Sequence, residues 1–175
     1  MDPAFTFRGG RVVPLGTPDV PRVRDLCLAC TAFYELIEGQ PATEATASEI
    51  LGPLEATYAH AIKHVWGVEA PQGALVALAE LLEGHPTAQE WYIGLLLVAP
   101  EQRRRGLGSE FCQAIIKSLA ARRARTVRLV VHGQNLVART FWEQQGFAPE
   151  RELVKRSGRL EGPVEIFVRS VERAG

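Results

Sequence analysis

Apolar residues recur every three to four positions at Val23, Leu26, Cys27, Cys30 and Phe33, which predicts a helix. Gly16-Thr17-Pro18-Asp19 is its start signal: Thr17 can cap and Pro18 fits the first turn. Glu38-Gly39-Gln40-Pro41 ends it, and Thr43 to Leu51 predicts a second, short helix. Ahead of both, Arg11 to Pro14 reads as a short strand. Ile62 to Val68 alternates as a strand does, and Ala74 to Leu82 is its partner across the Ala70-Pro71-Gln72-Gly73 turn. After a break at Gly84-His85-Pro86, Trp91 to Val98 is nearly all apolar, which suits a central strand buried on both faces. Ser109 to Arg122 returns to helical spacing, with Phe111, Ile115 and Leu119 in one stripe and Cys112, Ile116 and Ala120 beside it. Thr126 to Val131 is a strand. Asn135 to Gln145 is a helix closed by Gly146 at C′ with Phe147 following. Leu153 to Lys155 and Val164 to Val171 are closing strands around Ser157-Gly158.

This order predicts an α/β (α+β) fold, a mixed central sheet of about seven strands flanked by about four helices. Nothing in the chain reads as a repeat, a linker or a low-complexity tract, so one domain is expected over residues 8–175, and Met1 to Phe7 carry no argument.

Composition narrows the function. The 175 residues, 46% of them apolar, suit one packed globule. Twenty basic residues balance twenty acidic ones, so there is no global attraction to nucleic acid or anionic membrane. A phosphate-bearing ligand must then be held by local geometry. The three cysteines, Cys27, Cys30 and Cys112, are too few and odd in number for a disulfide framework, and they fit a reducing cytosol. Cys27-Leu-Ala-Cys30 has C-x-x-C spacing but lies in a helical pattern, where a packed face is the better reading. No apolar run approaches the ~18 residues of a membrane span, and no secretory h-region opens the chain, so a cytoplasmic protein is expected.

The segment richest in chemistry is Val98-Ala-Pro100-Glu-Gln-Arg103-Arg104-Arg105-Gly106-Leu107-Gly108-Ser109. A buried strand ends at Pro100, a basic loop follows, and two glycines open a helix. The first amides of a helix have no internal partner and carry the positive end of its dipole. Glycines let backbone approach an anion closely, so the loop suits a diphosphate. The competing reading is a strand-to-helix turn with a solvated arginine cluster. A P-loop is excluded because no Lys follows Gly108, and the dinucleotide fingerprint fails because Phe111 stands at its last glycine.

Here the chain resembles the GNAT superfamily of N-acetyltransferases. The acyl-CoA motif V-x-P-x-x-[RQ]-x-x-G-x-[GA] is matched from Val98 to Gly108. A second motif, N-x-x-A-x-x-F-[YW]-x-x-x-G-F, is matched by Asn135, Ala138, Phe141, Trp142, Gly146 and Phe147, and the two are separated by one helix and one strand as in that family. The resemblance implies acetyl-CoA as co-substrate. Backbone groups of Leu96, Leu97 and Val98 would pair with its pantetheine arm. Amides from Arg103, Arg104, Arg105, Gly106, Leu107, Gly108 and Ser109 would take the pyrophosphate. Asn135 would contact the pantetheine region, Ala138 would belong to the same cofactor site, and Phe141 and Trp142 would flank the thioester. Asn135 equally reads as a helix N-cap, and both roles can hold.

Acyl transfer to an amine needs a neutral nitrogen, whereas a lysine-type amine has a pKa near ~10.4. The resemblance places the usual proton donor, a Tyr, at Trp142, and the usual base, a Glu, at Tyr92; neither residue is present. Glu90, two residues before Tyr92, and His132 are the other candidates carried beside Tyr92, with Glu80 behind them; each also reads as a solvent-facing residue. His64 reads as structural. The acceptor, a small-molecule or peptide amine, has no signature. The rival classes are a non-catalytic acyl-CoA-binding module of the same fold and, on Arg122, Arg123, Arg125 and Arg128, an RNA binder that zero net charge disfavours. Family habit and the apolar strand Val164 to Val171 predict a homodimer through a sheet edge.

Overall fold

The computed structural model of the chain describes residues 5–7 and 10–171. Its elements are β1 (Phe5–Phe7), β2 (Gly10–Pro14), α1 (Val20–Ala29), α2 (Thr31–Glu38), α3 (Thr46–Leu51), β3 (Ile62–Glu69), β4 (Leu75–Glu83), β5 (Glu90–Val98), α4 (Leu107–Ala121), β6 (Thr126–His132), α5 (Leu136–Gln144), β7 (Ala148–Ser157) and β8 (Leu160–Ser170). They form one mixed sheet in the order β1-β2-β3-β4-β5-β6-β8-β7, in which only β5 and β6 run parallel. The expected sheet between helices is what forms, with eight strands and five α-helices among the described residues.

Alternation along the strands divides the core in two. On one face α4, through Phe111 and Ile115, and α5 cover Trp66, Leu129 and Phe167. On the other, α1, α2 and α3 cover Val65, Leu78 and Leu97 with Val23, Leu26 and Ile50. Phe111, Ile115 and Leu119, the predicted stripe of α4, are fully buried. Each such side chain contributes on the order of 1.5–3 kcal/mol relative to exposure.

The local differences from the sequence reading have local causes. The carboxylate of Asp19 accepts the Gly16 N–H at 2.9 Å and closes a 3-10 turn over Thr17–Asp19, so Thr17 makes no side-chain cap and the helix begins at Val20. The single helix expected through Phe33 breaks at Cys30 (φ −95°, ψ 18°), giving α1 and α2. There the Cys30 thiol turns out of the helix toward the Val98 carbonyl, at 3.5 Å. α2 stops, as expected, at Gly39, whose φ of +69° favours glycine. β1 pairs with β2 (Phe5↔Val12); its three residues are too short for periodicity to detect. The domain start expected at residue 8 therefore falls after a paired strand, and residues 8, 9 and 172–175 lie outside the described residues.

Two features of β5 open the sheet. Glu80 pairs with Leu95 and Leu81 with Ile93, which leaves Gly94 as the extra residue of a bulge. The bulge resets the alternation, so Trp91 and Ile93 share the α4/α5 face with Leu96 and Val98, while Leu95 and Leu97 turn to the other. β5 then pairs with β6 only from Glu90↔Thr126 to Ile93↔Leu129, whereas β6 stays paired with β8 as far as His132. Past Ile93 the two parallel strands separate.

β8 lies between β6 and β7, paired on both sides. The expectation of a dimer through Val164 to Val171 as an edge loses its premise. The true edge on that side, β7, is almost wholly exposed and rich in charge, which disfavours edge pairing. No helix among the described residues is long and apolar enough to cross a membrane.

Candidate active site

The opening between β5 and β6 faces the N-terminus of α4. The Ala99 N–H donates to the Val76 carbonyl, toward β4. By alternation, Leu97 also points its backbone groups at β4, while Leu96 and Val98 present theirs to the open side. The loop Pro100–Gln102 is a 3-10 turn, Arg104 adopts φ +58°, and Gly106 caps α4 at φ +88°. The first bond of the new helix runs from the Glu110 N–H to the Gly106 carbonyl, so the amides of Leu107, Gly108 and Ser109 precede the intrahelical ladder. Fifteen residues of α4 stand behind them, with their dipole aimed at the opening.

Side chains around this helix start do not all behave as a basic rim. Arg103, though exposed, folds back on the strand end: its Nε donates to the Val98 carbonyl at 2.9 Å and Nη2 donates to Cys30 Sγ at 3.5 Å. It tethers the loop to the strand end, and Arg104 and Arg105 are exposed beside it. The two glycines serve different ends. A Cβ on Gly106 would meet only Glu110 Oε1, at 3.8 Å, so its need is the left-handed φ; a Cβ on Gly108 would meet Phe141 Cε2 at 3.4 Å and Val98 Cγ2 at 3.5 Å, so its need is space. The Ser109 hydroxyl accepts from Gln145 Nε2 at 3.0 Å. Gln145, a buried polar residue that sequence pattern did not single out, also accepts from Gln113 and, through its carbonyl, from Arg169. It locks the start of α4 to the end of α5.

Asn135 is the N-cap of α5, its Oδ1 accepting the Ala138 N–H at 3.0 Å. Phe141 reaches Gly108 and Val98 at the opening, while Trp142, 7% exposed, turns into the core between Phe141 and Phe147 at ring distances of 4.9 and 5.2 Å. The structure thus brings Val98, Gly108 and Phe141 together, and Ala138 packs against the same core cluster. Cys27 and Cys30 are both buried; Tyr34 Oη donates to Cys27 Sγ at 3.4 Å, and burial pushes both thiols up, which leaves them as packed thiols.

The catalytic candidates separate. Glu90 begins β5, roughly 25 Å from Val98 at ~3.3 Å per residue. Its carboxylate pairs with Arg128 and accepts from Thr87 Oγ1 at 2.7 Å. Arg128 also holds Glu150 at 3.1 Å, so Glu90 belongs to a charge network that fastens β5, β6 and β7. His132 ends β6, half-buried, with burial first and Lys155 second holding its pKa below the usual imidazole value. His64 pairs with Glu83 at 2.8 Å and stacks on Trp91, a structural arrangement. Tyr92 lies beside His85 (ring centroids 5.5 Å), and His85 beside Tyr58 (5.1 Å). Burial, then Tyr58 and Glu80, raise the Tyr92 phenol, which stays neutral. Glu80 shares this face; burial pushes its carboxyl above the usual range, against the lowering effect of Lys63. The sequence signals for this spot were a lone glycine in an apolar strand and a carboxylate, Glu80, within the apolar run of the strand beside it.

Comparison with known proteins agrees with this geometry. The model of the acetyltransferase (GNAT) family matches residues 30–147. An acetyltransferase from Thermus thermophilus superposes with a TM-score of 0.69 at 22% identity, covering 91% of this chain and 95% of that one. The ribosomal-protein-S18-alanine N-acetyltransferase from Escherichia coli does so at 0.64 and 20%, over 94% and 95%. Spermidine N-acetyltransferase from Vibrio cholerae, solved with CoA and spermine, does so at 0.69 and 19%, over 91% and 94%. No curated protein sequence matches the chain significantly. A sheet that splits beside a bulge, a glycine-opened helix facing the split and a family match over both motifs lead to one conclusion: the chain belongs to the GNAT family of acetyltransferases.

Proposed function

We propose that the protein transfers an acetyl group from acetyl-CoA to an amine of a small molecule or peptide. The observation that carries this reading is the separation of β5 from β6 past Ile93, directly before the N-terminus of α4. An extended pantetheine arm can add as a strand would to the Leu96 backbone groups and the Val98 N–H, the Val98 carbonyl being held by Arg103. Its pyrophosphate then meets the amides from Arg103 to Ser109 and the positive helix end. Phe141 borders the arm, and Asn135, whose carbonyl oxygen caps α5, keeps its amide N–H donors for it. The three free thiols suit the reducing cytoplasm. Trp142 is packed as a wall and its indole is no useful acid, so the thiolate leaves unassisted or through water; a thiol of pKa near ~8.5 permits this.

The test is calorimetric titration with acetyl-CoA, followed by thiol release with polyamines, aminoglycosides, amino acids and peptide N-termini. Binding together with amine-dependent thiol release is expected. A second reading, an acyl-CoA-binding module without turnover, draws on the loss of both usual acid–base residues at Tyr92 and Trp142; binding with no release for any amine would establish it instead.

A further inference from the structure

The central strand β5 is solvent-exposed at one residue where it should be most covered. Gly94 lies midway along it, is exposed, and sits at the vertex where β5 and β6 part. An arm added along Val98 to Leu96 delivers its acyl end to this vertex. On the α1–α3 face, Glu80 reaches over from β4 into the space that a side chain at 94 would fill: an ideal Cβ there would lie 2.7 Å from Glu80 Oε1. Oε2 is 3.5 Å from Lys63 Nζ. Tyr92 flanks the same spot, with His85 and Tyr58 behind it.

From this placement we infer that Glu80 is the general base for the acceptor amine, reaching the vertex through the gap at Gly94 from the neighbouring strand. The inference rests on the acetyltransfer reading above. The amine enters from the α1–α3 face as R–NH3+, beside a carboxylate and the ring of Tyr92, both of which favour a cation. Oε1 takes one proton and releases it to solvent. The nitrogen lone pair then forms the C–N bond to the thioester carbonyl carbon, and the C–S bond breaks on collapse. The departing thiolate takes up a second proton, from the amide nitrogen. The charged and titratable groups that face Glu80 are Lys63 from β3 and Tyr92 from β5, and among the described residues no group of α1, α2 or α3 contributes to its titration. Desolvation outweighs Lys63, which brings the carboxyl closer to the amine it must deprotonate.

The experiment is the pH dependence of kcat/KM for wild type, Glu80→Gln and Gly94→Ala, with acetyl-CoA affinity measured on each. It uses one aliphatic amine (pKa near ~10.4) and one peptide N-terminus (near ~8) as probes. In the wild type kcat/KM should rise through an acid limb above the usual carboxylate range. Glu80→Gln should lose about 100-fold or more with the aliphatic amine and less with the peptide amine, which is already partly neutral, and the acid limb should vanish. Gly94→Ala, which pushes Oε1 aside, should lower kcat/KM with both probes. Acetyl-CoA affinity should hold in both variants. Unchanged kcat/KM and an unchanged limb in Glu80→Gln overturn the proposal. Equal losses of affinity and turnover also overturn it, since they mark a structural role. Absence of amine-dependent release in the wild type overturns the acetyltransfer reading itself.

Discussion

At φ +88° Gly106 holds a conformation that costs a residue bearing a Cβ on the order of 1 kcal/mol or more, whereas Gly108 leaves a gap bounded by Phe141 and Val98. Gly106→Pro and Gly108→Val should therefore each weaken acetyl-CoA binding about tenfold or more, about 1.4 kcal/mol, in calorimetry. The first fails by backbone strain at the helix start and the second by wedging Phe141 off the opening; unchanged affinity in both would remove the cradle. Trp142 acts through packing alone. Trp142→Phe should lower Tm, because it leaves a cavity against Phe147, but should leave turnover per folded molecule close to wild type. His132 is neutral at pH 7, since burial and Lys155 lower its pKa, so any rate limb it governed would fall below ~6.5. With Glu80 as base, His132→Ala should leave the pH profile in place.

The helices and strands that frame the site are held by one contact the sequence could offer and by others it could not. Asn135 caps α5, and Asn135→Ala should cost about 1 kcal/mol in urea denaturation. Asn135→Ser should restore stability; a loss of acetyl-CoA affinity that persists in the Ser variant separates the ligand contact from the cap. Glu90 was readable as a base because alternation puts it on the same face as Tyr92. Its engagement by Arg128 was not readable, because Arg128 comes from β6 and Glu150 from β7. Glu90→Gln should lower Tm and leave kcat/KM unchanged. The break of α1 from α2 has the same kind of origin: periodicity runs unbroken through Cys30, and the turn there serves a contact with Val98, far along the chain.

At the scale of the whole molecule, Glu69 ties layers together by accepting from Arg11 at 2.7 Å and Arg22 at 2.6 Å, joining β3, β2 and α1. Both arginines hold its carboxyl below the usual range. A depressed carboxyl contributes stability that is present above its unfolded value, near ~4.3, and is lost as pH falls through the folded one. Arg11 is largely exposed, so the contribution is about 1 kcal/mol or less. Thermal unfolding from pH 7 to 3 should show the wild type losing its lead over Glu69→Gln in the acid range.

The chain by itself determined what depends on neighbours in sequence. Period-two and period-3.6 patterns gave β3, β4, α4 and the helical stretch of α1 and α2, though not its break at Cys30, because side-chain direction repeats within an element. Two motifs gave the helix start at Gly106 and the cap at Asn135, because φ and capping are local. Tertiary structure decided what depends on register between strands. The bulge at Gly94, the parting of β5 from β6, the burial of β8 between two strands and the meeting of Glu80 with the vertex all follow from which residue of one strand lies beside which of another. A one-residue change in that pairing turns every side chain to the opposite face, so Glu80 in β4 reads as surface until the pairing places it at the opening.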